Sequence, residues 1–187
     1  MFPGNIYYVN RVETIYVDPE SQVRVRIGLK PGDVGYITYL HGVVYHEEYG
    51  LDTTFEPYVA RPLAEFALNR GNPRQRMWVA ERYGVVCGSA AIVEHSRDEA
   101  QLRWLILSKD ARGVGLGRRL VGWALGFCRE QGYRSVFLWT FSELEAAAHL
   151  YRTHGFKLTE EKTHTIWGRV LTEQRYDLRL TKQQKDS

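Results

Sequence analysis

The sequence predicts an α/β fold, on three observations. Leu105-Ile106-Leu107 leads through a short connection into Arg112-Gly113-Val114-Gly115-Leu116-Gly117 and then a long amphipathic stretch, which reads as strand, glycine turn and helix start. Ser135 to Thr140 is a β-branched and aromatic run that begins just after Gly132 and ends at a new helical pattern, the mark of a buried strand. Arg76 to Glu81 and Val85 to Glu94 flank Arg82-Tyr83-Gly84 and read as a hairpin.

The remaining elements follow in chain order. Ile6 to Val17 is rich in Ile, Val, Tyr and Thr and suits one or two strands or an arm. Residues 1–22 are therefore set apart as an N-terminal arm or extra strands, with an edge strand and a homodimer contact both open as their role. Gln22 to Gly28 alternates Val23, Val25 and Ile27 with Arg24 and Arg26, a strand with one buried face. Pro31-Gly32-Asp33 starts a helix through about Tyr49, and Gly50 to Thr53 breaks it. Thr53 or Thr54 caps a second helix to about Asn69, ended by Gly71 and Pro73. Glu99 to Leu107 is the next strand. The helix from Gly115 to Gln131 turns Leu116, Leu120, Ala124 and Phe127 inward, with Arg118, Arg129 and Glu130 outward. Ser142 and Glu145 form a Ser-x-x-Glu capping box for a short helix that stops at Gly155, a left-handed C-terminal cap. Phe156-Lys157-Leu158 begins a strand, a loop surrounds Gly168, and Arg175 to Leu180 is the last strand. The order is strand, two helices, three strands, helix, strand, helix, two strands, in one domain over residues 23–180, with 181–187 a polar tail.

Composition bounds the function. Apolar residues are 44% and charged residues 25% of the 187, as in ordinary globular domains. No apolar run approaches the ~20 residues that cross a bilayer, and Met1 to Asn5 lacks the basic start and apolar core of a signal peptide. No membrane partner is expected, and the expected compartment is the cytoplasm. Cys87 and Cys128 sit in apolar patterns and suit buried free thiols. The six histidines include no i,i+4 pair, because His41/His46 and His149/His154 are five apart, so no metal is expected. A formal charge of +3 is mild and lies partly around the glycine turn, so nucleic acid is not an expected partner.

The turn carries the chemistry. Glycines at alternate positions let backbone approach a ligand closely. The following helix aims unpaired N–H groups and the positive end of its dipole at whatever the turn holds. With Arg112, Arg118 and Arg119 beside it, a diphosphate is the natural ligand. A P-loop would need Lys-Ser/Thr after Gly117, where Arg118-Arg119 stand, and a dinucleotide fingerprint would need glycine in place of Arg118. What remains is Arg/Gln-x-x-Gly-x-Gly/Ala, met by Arg112, Gly115 and Gly117 after an apolar strand.

Here the chain resembles the GCN5-related N-acetyltransferases (GNAT superfamily), and a second signature agrees. Tyr151-Arg152-Thr153-His154-Gly155-Phe156 matches the Tyr-x-x-x-Gly-Phe pattern downstream in that family. The resemblance spans roughly Val23 to Leu180. It implies a mixed, mostly antiparallel sheet of six to seven strands flanked by about four helices, and acetyl-coenzyme A as co-substrate. It implies that Leu105, Ile106, Leu107, Arg112, Gly113, Val114, Gly115, Leu116, Gly117 and Arg118 hold that molecule, with Leu105 to Leu107 supplying an oxyanion donor. It also implies that Tyr151 protonates the departing thiolate. A narrower resemblance lies in His41-Gly42-Val43-Val44-Tyr45, Glu48 to Asp52 and Thr54-Phe55-Glu56. With His164, Gly168, Leu171, Gln174 and Tyr176, these look like the acetyltransferase half of bacterial proteins fused to a MarR-type winged helix. The residues before Val23 are too few for a winged helix, so DNA binding is not carried over.

An attacking amine must lose a proton, which calls for a carboxylate, a histidine or a water chain. Relatives often carry a glutamate on a central strand where this chain has Trp139. The carboxylates on the helix that usually lines the acceptor pocket are Glu47 and Glu48. Glu48 is the expected base or acceptor contact, since His41 lies seven residues before it on the same helix face. His41, Glu47, Tyr45 and Trp139 are the expected acceptor-site residues. Three functions stay open: an N-acetyltransferase acting on a primary amine of a small molecule or peptide, an idle acyl-coenzyme A binding module, and a nucleic-acid binder using the basic turn. A proton donor at Tyr151 separates the first two, and steep salt dependence would mark the third.

Overall fold

The computed structural model describes residues 12–69 and 71–180. In chain order the elements are β1 (Glu13–Asp18), β2 (Val23–Ile27), α1 (Asp33–Tyr49), α2 (Phe55–Leu68), β3 (Arg76–Arg82), β4 (Val85–Glu94), β5 (Glu99–Leu107), α3 (Leu116–Glu130), β6 (Ser135–Phe141), α4 (Glu145–Thr153), β7 (Lys157–Ile166) and β8 (Arg169–Arg179). A 3-10 turn, Lys109–Ala111, links β5 to the glycine turn. Among the described residues the sheet has eight strands in the order β1-β2-β3-β4-β5-β6-β8-β7, of which seven, β2 to β8, lie within residues 23–180 as expected. The extra strand is β1, an edge strand antiparallel to β2, so part of the N-terminal arm belongs to the same sheet. Residues 6–11, also read as strand or arm, and the tail 181–187 lie outside the described residues.

Helices cover both faces of the sheet. Leu116, Leu120, Ala124 and Phe127 of α3, with Ala148 and Tyr151 of α4, pack on Val25, Trp78, Ala90 and Leu138 on one face. Ile37, Phe55, Val59 and Leu63 of α1 and α2 pack on Met77, Val79, Ala91 and Trp104 on the other. Gly42 lets the two helices approach: a Cβ there would lie 2.7 Å from Cγ of Glu56. None of the described helices is long and apolar enough to cross a membrane.

Three expectations need correction. Arg26 does not face solvent: it is buried and donates to Asp33 at 2.7 and 2.9 Å and to Glu81 at 2.8 Å, tying the start of α1 to the sheet. Glu81 also takes Lys30 at 3.0 Å. The capping box is not formed. The cap of α4 is Leu144, and Ser142 is held two residues earlier, its N–H donating to Thr172 of β8 and its hydroxyl to Glu143. The final strand begins at Arg169 rather than Arg175, because Trp167 (φ 52°) and Gly168 (φ 78°) make a two-residue turn between β7 and β8. Two consecutive positive φ angles match the right-handed twist of a hairpin. Tyr83 and Gly84 do the same between β3 and β4.

Two irregularities position the site. β5 and β6, the one parallel pair among the described residues, are bonded only from Glu99↔Ser135 to Gln101↔Phe137, and beyond that point the strands separate. β5 also bulges against β4 between Arg103 and Ile106, with Trp104 at φ 49°. A bulge flips the alternation of side chains. Ala100 and Leu102 thus face α3, whereas Trp104 and Ile106 face the side of α1 and α2.

Candidate active site

Where β5 and β6 part, two concavities open and share a boundary. The larger, about 350 Å³, is lined by Leu105, Ile106, Leu107, Arg112, Gly113, Gly115, Leu116, Gly117 and Arg118, with Glu48 and Tyr49 of α1 and Leu150 and Tyr151 of α4. The smaller, about 90 Å³, is lined by His41, Tyr45, Phe55, Tyr58, Arg103, Trp104, Trp139, Trp167 and Glu173 among others. Tyr45, Leu105 and Tyr151 line both. The size difference assigns the bulky ligand to the first and a small one to the second.

The larger groove is built for an anion. Gly113 and Gly115 have φ of 82° and 77°, and a Cβ on either would meet no protein atom within 4 Å. Side chains there would be strained and would fill the space above the turn. Gly117 has a different reason: a Cβ would press on Leu150 at 3.3 Å and Leu107 at 3.6 Å, so it permits packing of the groove floor. Gly115 caps α3 without a side-chain hydrogen bond, and the first turn holds no acidic residue. In contrast α1, α2 and α4 open with Asp33, Glu56 and Glu145. The free N–H groups of α3, with Arg118 beside them, therefore favour negative charge, whereas Arg119, also expected at the turn, points away and lies over the Tyr16 ring at 4.8 Å. Arg112 is aimed by two partners: Nε donates to the Leu107 carbonyl at 3.1 Å, and Nη1 donates to Glu48 Oε2 at 2.9 Å while Nη2 lies 2.9 Å from Oε1. The residues present fit a diphosphate. The side chain of Val114 is half exposed and lies toward Tyr16 and Val23 rather than in the groove, so only its backbone belongs to the turn.

Strand geometry supplies hydrogen-bond donors at the boundary. Ser108 N–H donates to Cys87 of β4, and Ile106 stands opposite Ser89. By alternation Leu105 and Leu107 turn their N–H and C=O groups away from β4, toward the gap left by β6. The contact of Arg112 with the Leu107 carbonyl lies on that side.

Tyr151 is fixed at the end of α4. Gly155, at φ 89°, donates its N–H to Arg152 at 3.0 Å and Phe156 donates to Tyr151 at 3.1 Å, the paired bonds of a left-handed helix end. Burial pushes the Tyr151 hydroxyl well above the usual phenol range, and Tyr176 adds to this. The hydroxyl therefore stays protonated near neutrality and has a proton to donate. Burial does the same to Tyr45, with Tyr151, Tyr49 and Tyr58 contributing.

His41 lies in the smaller cavity, its Nδ1 bonded to the Ile37 carbonyl at 2.8 Å and its ring stacked on Tyr45. A carbonyl partner makes Nδ1 the donor and leaves a lone pair on Nε2. Burial pulls its pKa down to about 4, against the Ile37 bond, which favours the charged form. Because the folded value lies below the ordinary 6.5, this contribution to stability is complete above that pH and is lost as pH falls toward 4. From pH 7.5 to pH 5 the protein is expected to lose roughly 2 kcal/mol more than a His41→Gln variant does. Urea denaturation at the two pH values measures it, and equal losses would contradict it.

The other expected residues divide. Trp139 lines the smaller cavity, with Lys162 Nζ 5.4 Å from its ring centre. Glu48 lies in the larger groove bound to Arg112, and Glu47 lines neither concavity but reaches Lys109 at 3.3 Å on the surface. Seven residues return to the same helix face yet advance roughly 10 Å along it. His41 and Glu48 therefore face different chambers. Tyr58, Arg103, Trp167 and Glu173 carry no signal in the sequence: the bulge that brings Trp104 to the same side as Arg103 and the long β8 that brings Glu173 leave no periodic mark. Cys87 and Cys128 are buried free thiols pushed up to about 11 and about 12 by burial, which leaves neither as a nucleophile. Among the described residues no three His, Cys, Asp or Glu side chains cluster as a metal site.

Known proteins resemble this chain in sequence and in fold. The family model described as Acetyltransferase (GNAT) family matches residues 43–156. N-acetyltransferase family 8 member 3 of Rattus norvegicus is 37% identical over 98 residues, which is 50% of this chain and 43% of that protein. The chain thus spans less than half of that relative's length. An N-acetyltransferase of Schizosaccharomyces pombe, described as uncharacterized, is 30% identical over 125 residues, covering 64% of this chain and 74% of that one. The fold matches yncA of Salmonella typhimurium, solved with its cofactor acetyl-CoA, at a TM-score of 0.70 and 19% identity, over 89% of this chain and 98% of that one. With the turn, the parted strands and the tyrosine all lying inside the matched span, the chain belongs to the acetyltransferase (GNAT) family.

Proposed function

We propose that the protein transfers an acetyl group from acetyl-coenzyme A to a primary amine of a small molecule or peptide, by direct attack while both are bound. The observation that carries this reading is the meeting of the two concavities at Tyr45, Leu105 and Tyr151. Acetyl-coenzyme A supplies an activated thioester. The turn from Arg112 to Arg118 binds the diphosphate, and Leu105 to Leu107 present N–H groups to charge developing on the acetyl oxygen. The amine nitrogen forms a bond to the acetyl carbon, the carbon–sulfur bond breaks, and Tyr151 donates its proton to the thiolate. His41, neutral with a lone pair on Nε2, accepts a hydrogen bond from the amine or from the water that carries the amine's proton to solvent. It replaces Glu48 in that role, because Glu48 is committed to Arg112.

Within the family, we place the chain beside the acetyltransferase halves of MarR fusions. Support comes from the segments carrying that resemblance, which contribute His41, Tyr45 and Phe55 to the acceptor cavity.

A thiol-release assay with acetyl-coenzyme A against amines, amino acids, polyamines and peptides tests the proposal. Acceptor-dependent release with a stoichiometric amide product is expected. Tight acetyl-coenzyme A binding with no release from any acceptor would instead make the chain an idle acyl-coenzyme A module.

A further inference from the structure

The acceptor cavity holds a cation that the proposed chemistry leaves unused. Arg103 projects from the β5 bulge toward α2, its guanidinium 4.9 Å from the ring centre of Trp104. Arg26, Arg74 and Arg175, all at least partly buried, each hold a carboxylate at 3.2 Å or closer. Among the described residues no carboxylate forms an ion pair with Arg103. Glu65 acts on it from a distance and is itself exposed beside Arg61 at 3.4 Å. Burial lowers the Arg103 pKa, with Tyr58 and Glu65 opposing this, so its charge stands in a partly desolvated place. The cavity's one carboxylate, Glu173, lies 2.8 Å from Nε2 of His164.

A fixed, half-buried guanidinium without a counter-charge favours an anion that arrives with the ligand. Its planar fork matches a carboxylate, and a cavity of about 90 Å³ walled by Phe55, Tyr58, Trp139 and Trp167 suits a small apolar body. We propose that the acceptor is an amine that also carries a carboxylate, an amino-acid-type molecule, and that Arg103 binds that carboxylate. This rests on the acetyltransferase reading and narrows it.

Matched acceptors test it: L-phenylalanine against phenethylamine, and L-methionine against 3-(methylthio)propylamine, with O-phosphoethanolamine as a third anion type. The parent is expected to favour each carboxylate-bearing member by about tenfold or more in kcat/KM. In Arg103→Met, which keeps an apolar stem on Trp104, that preference ratio should fall to near one, chiefly through KM. Arg103→Lys should restore part of it. Equal use of acids and decarboxylated amines by the parent, or preference for the phosphate, would overturn the proposal while leaving the enzyme an acetyltransferase.

Should no acceptor react, binding decides. Trp104, Trp139 and Trp167 line the cavity, so saturable quenching by L-phenylalanine that weakens about tenfold in Arg103→Met supports the site. No quenching by L-phenylalanine or L-methionine overturns it.

Discussion

Tyr151→Phe is expected to lower kcat by about 10²- to 10⁴-fold, the usual weight of a positioned proton donor, with little change in acetyl-coenzyme A affinity. The ring packs among Phe156 and Tyr176, with centroids 6.0 and 6.1 Å away, and phenylalanine preserves those contacts. The lost group is a hydroxyl kept protonated by burial at the boundary of the two concavities. Tyr45 also reaches both, so Tyr45→Phe is the informative comparison. If Tyr45→Phe loses the rate and Tyr151→Phe does not, the acid is Tyr45 and Tyr151 is a packing residue.

Gly115→Val is expected to weaken acetyl-coenzyme A binding by about tenfold to a hundredfold, the loss of one or two hydrogen bonds to a charged group. At φ 77° a β-branched residue is strained by roughly 1–2 kcal/mol, and its side chain enters space that no protein atom occupies. Gly122, inside α3, also has an open Cβ position, so Gly122→Ala serves as a control that keeps binding intact and raises stability slightly. Isothermal titration with acetyl-coenzyme A and a thermal melt separate the two effects. A parent-like dissociation constant for Gly115→Val would remove the turn from the binding site.

Much of the architecture is legible because it is periodic or punctuated. β5 ends at Leu107 and α3 starts after Gly115, where apolar alternation gives way to glycines and then to a 3.6-residue pattern. Helix α1 runs from Asp33 to Tyr49 between Gly32 and Gly50, both at positive φ, as its punctuation indicates. The turn at Trp167-Gly168 hides because its conformation normally selects Asn-Gly. Here a tryptophan adopts it, and its ring is buried 4.9 Å from Phe55 and 4.8 Å from Tyr58. Tertiary packing outweighs local preference there, and β8 begins six residues before Arg175, where the sequence pattern alone starts it.

The site is legible to a lesser degree. The coenzyme turn is a contiguous motif and can be read residue by residue. The acceptor cavity is assembled from α1, α2, β5, β6 and β8, so nothing local marks it. Glu48 shows the limit: helical spacing aligns it with His41, yet the two line different concavities, and its partner Arg112 lies 64 residues away in the chain. The burial of Arg26 has the same origin, since the carboxylates that hold it come from α1 and β3.

The missing acid at the start of α3 ties folding to supply. Arg118, at the positive end of the helix dipole, opposes the helix by a few tenths of a kcal/mol or more, and an anion on the turn reverses that. Any ligand that binds the folded chain alone adds RT ln(1 + [L]/Kd) to its stability, about 2.7 kcal/mol at a hundredfold excess over Kd. The free chain is thus the weaker partner in one shared equilibrium. Its resistance to unfolding and proteolysis rises and falls with the pool of the diphosphate that completes the helix.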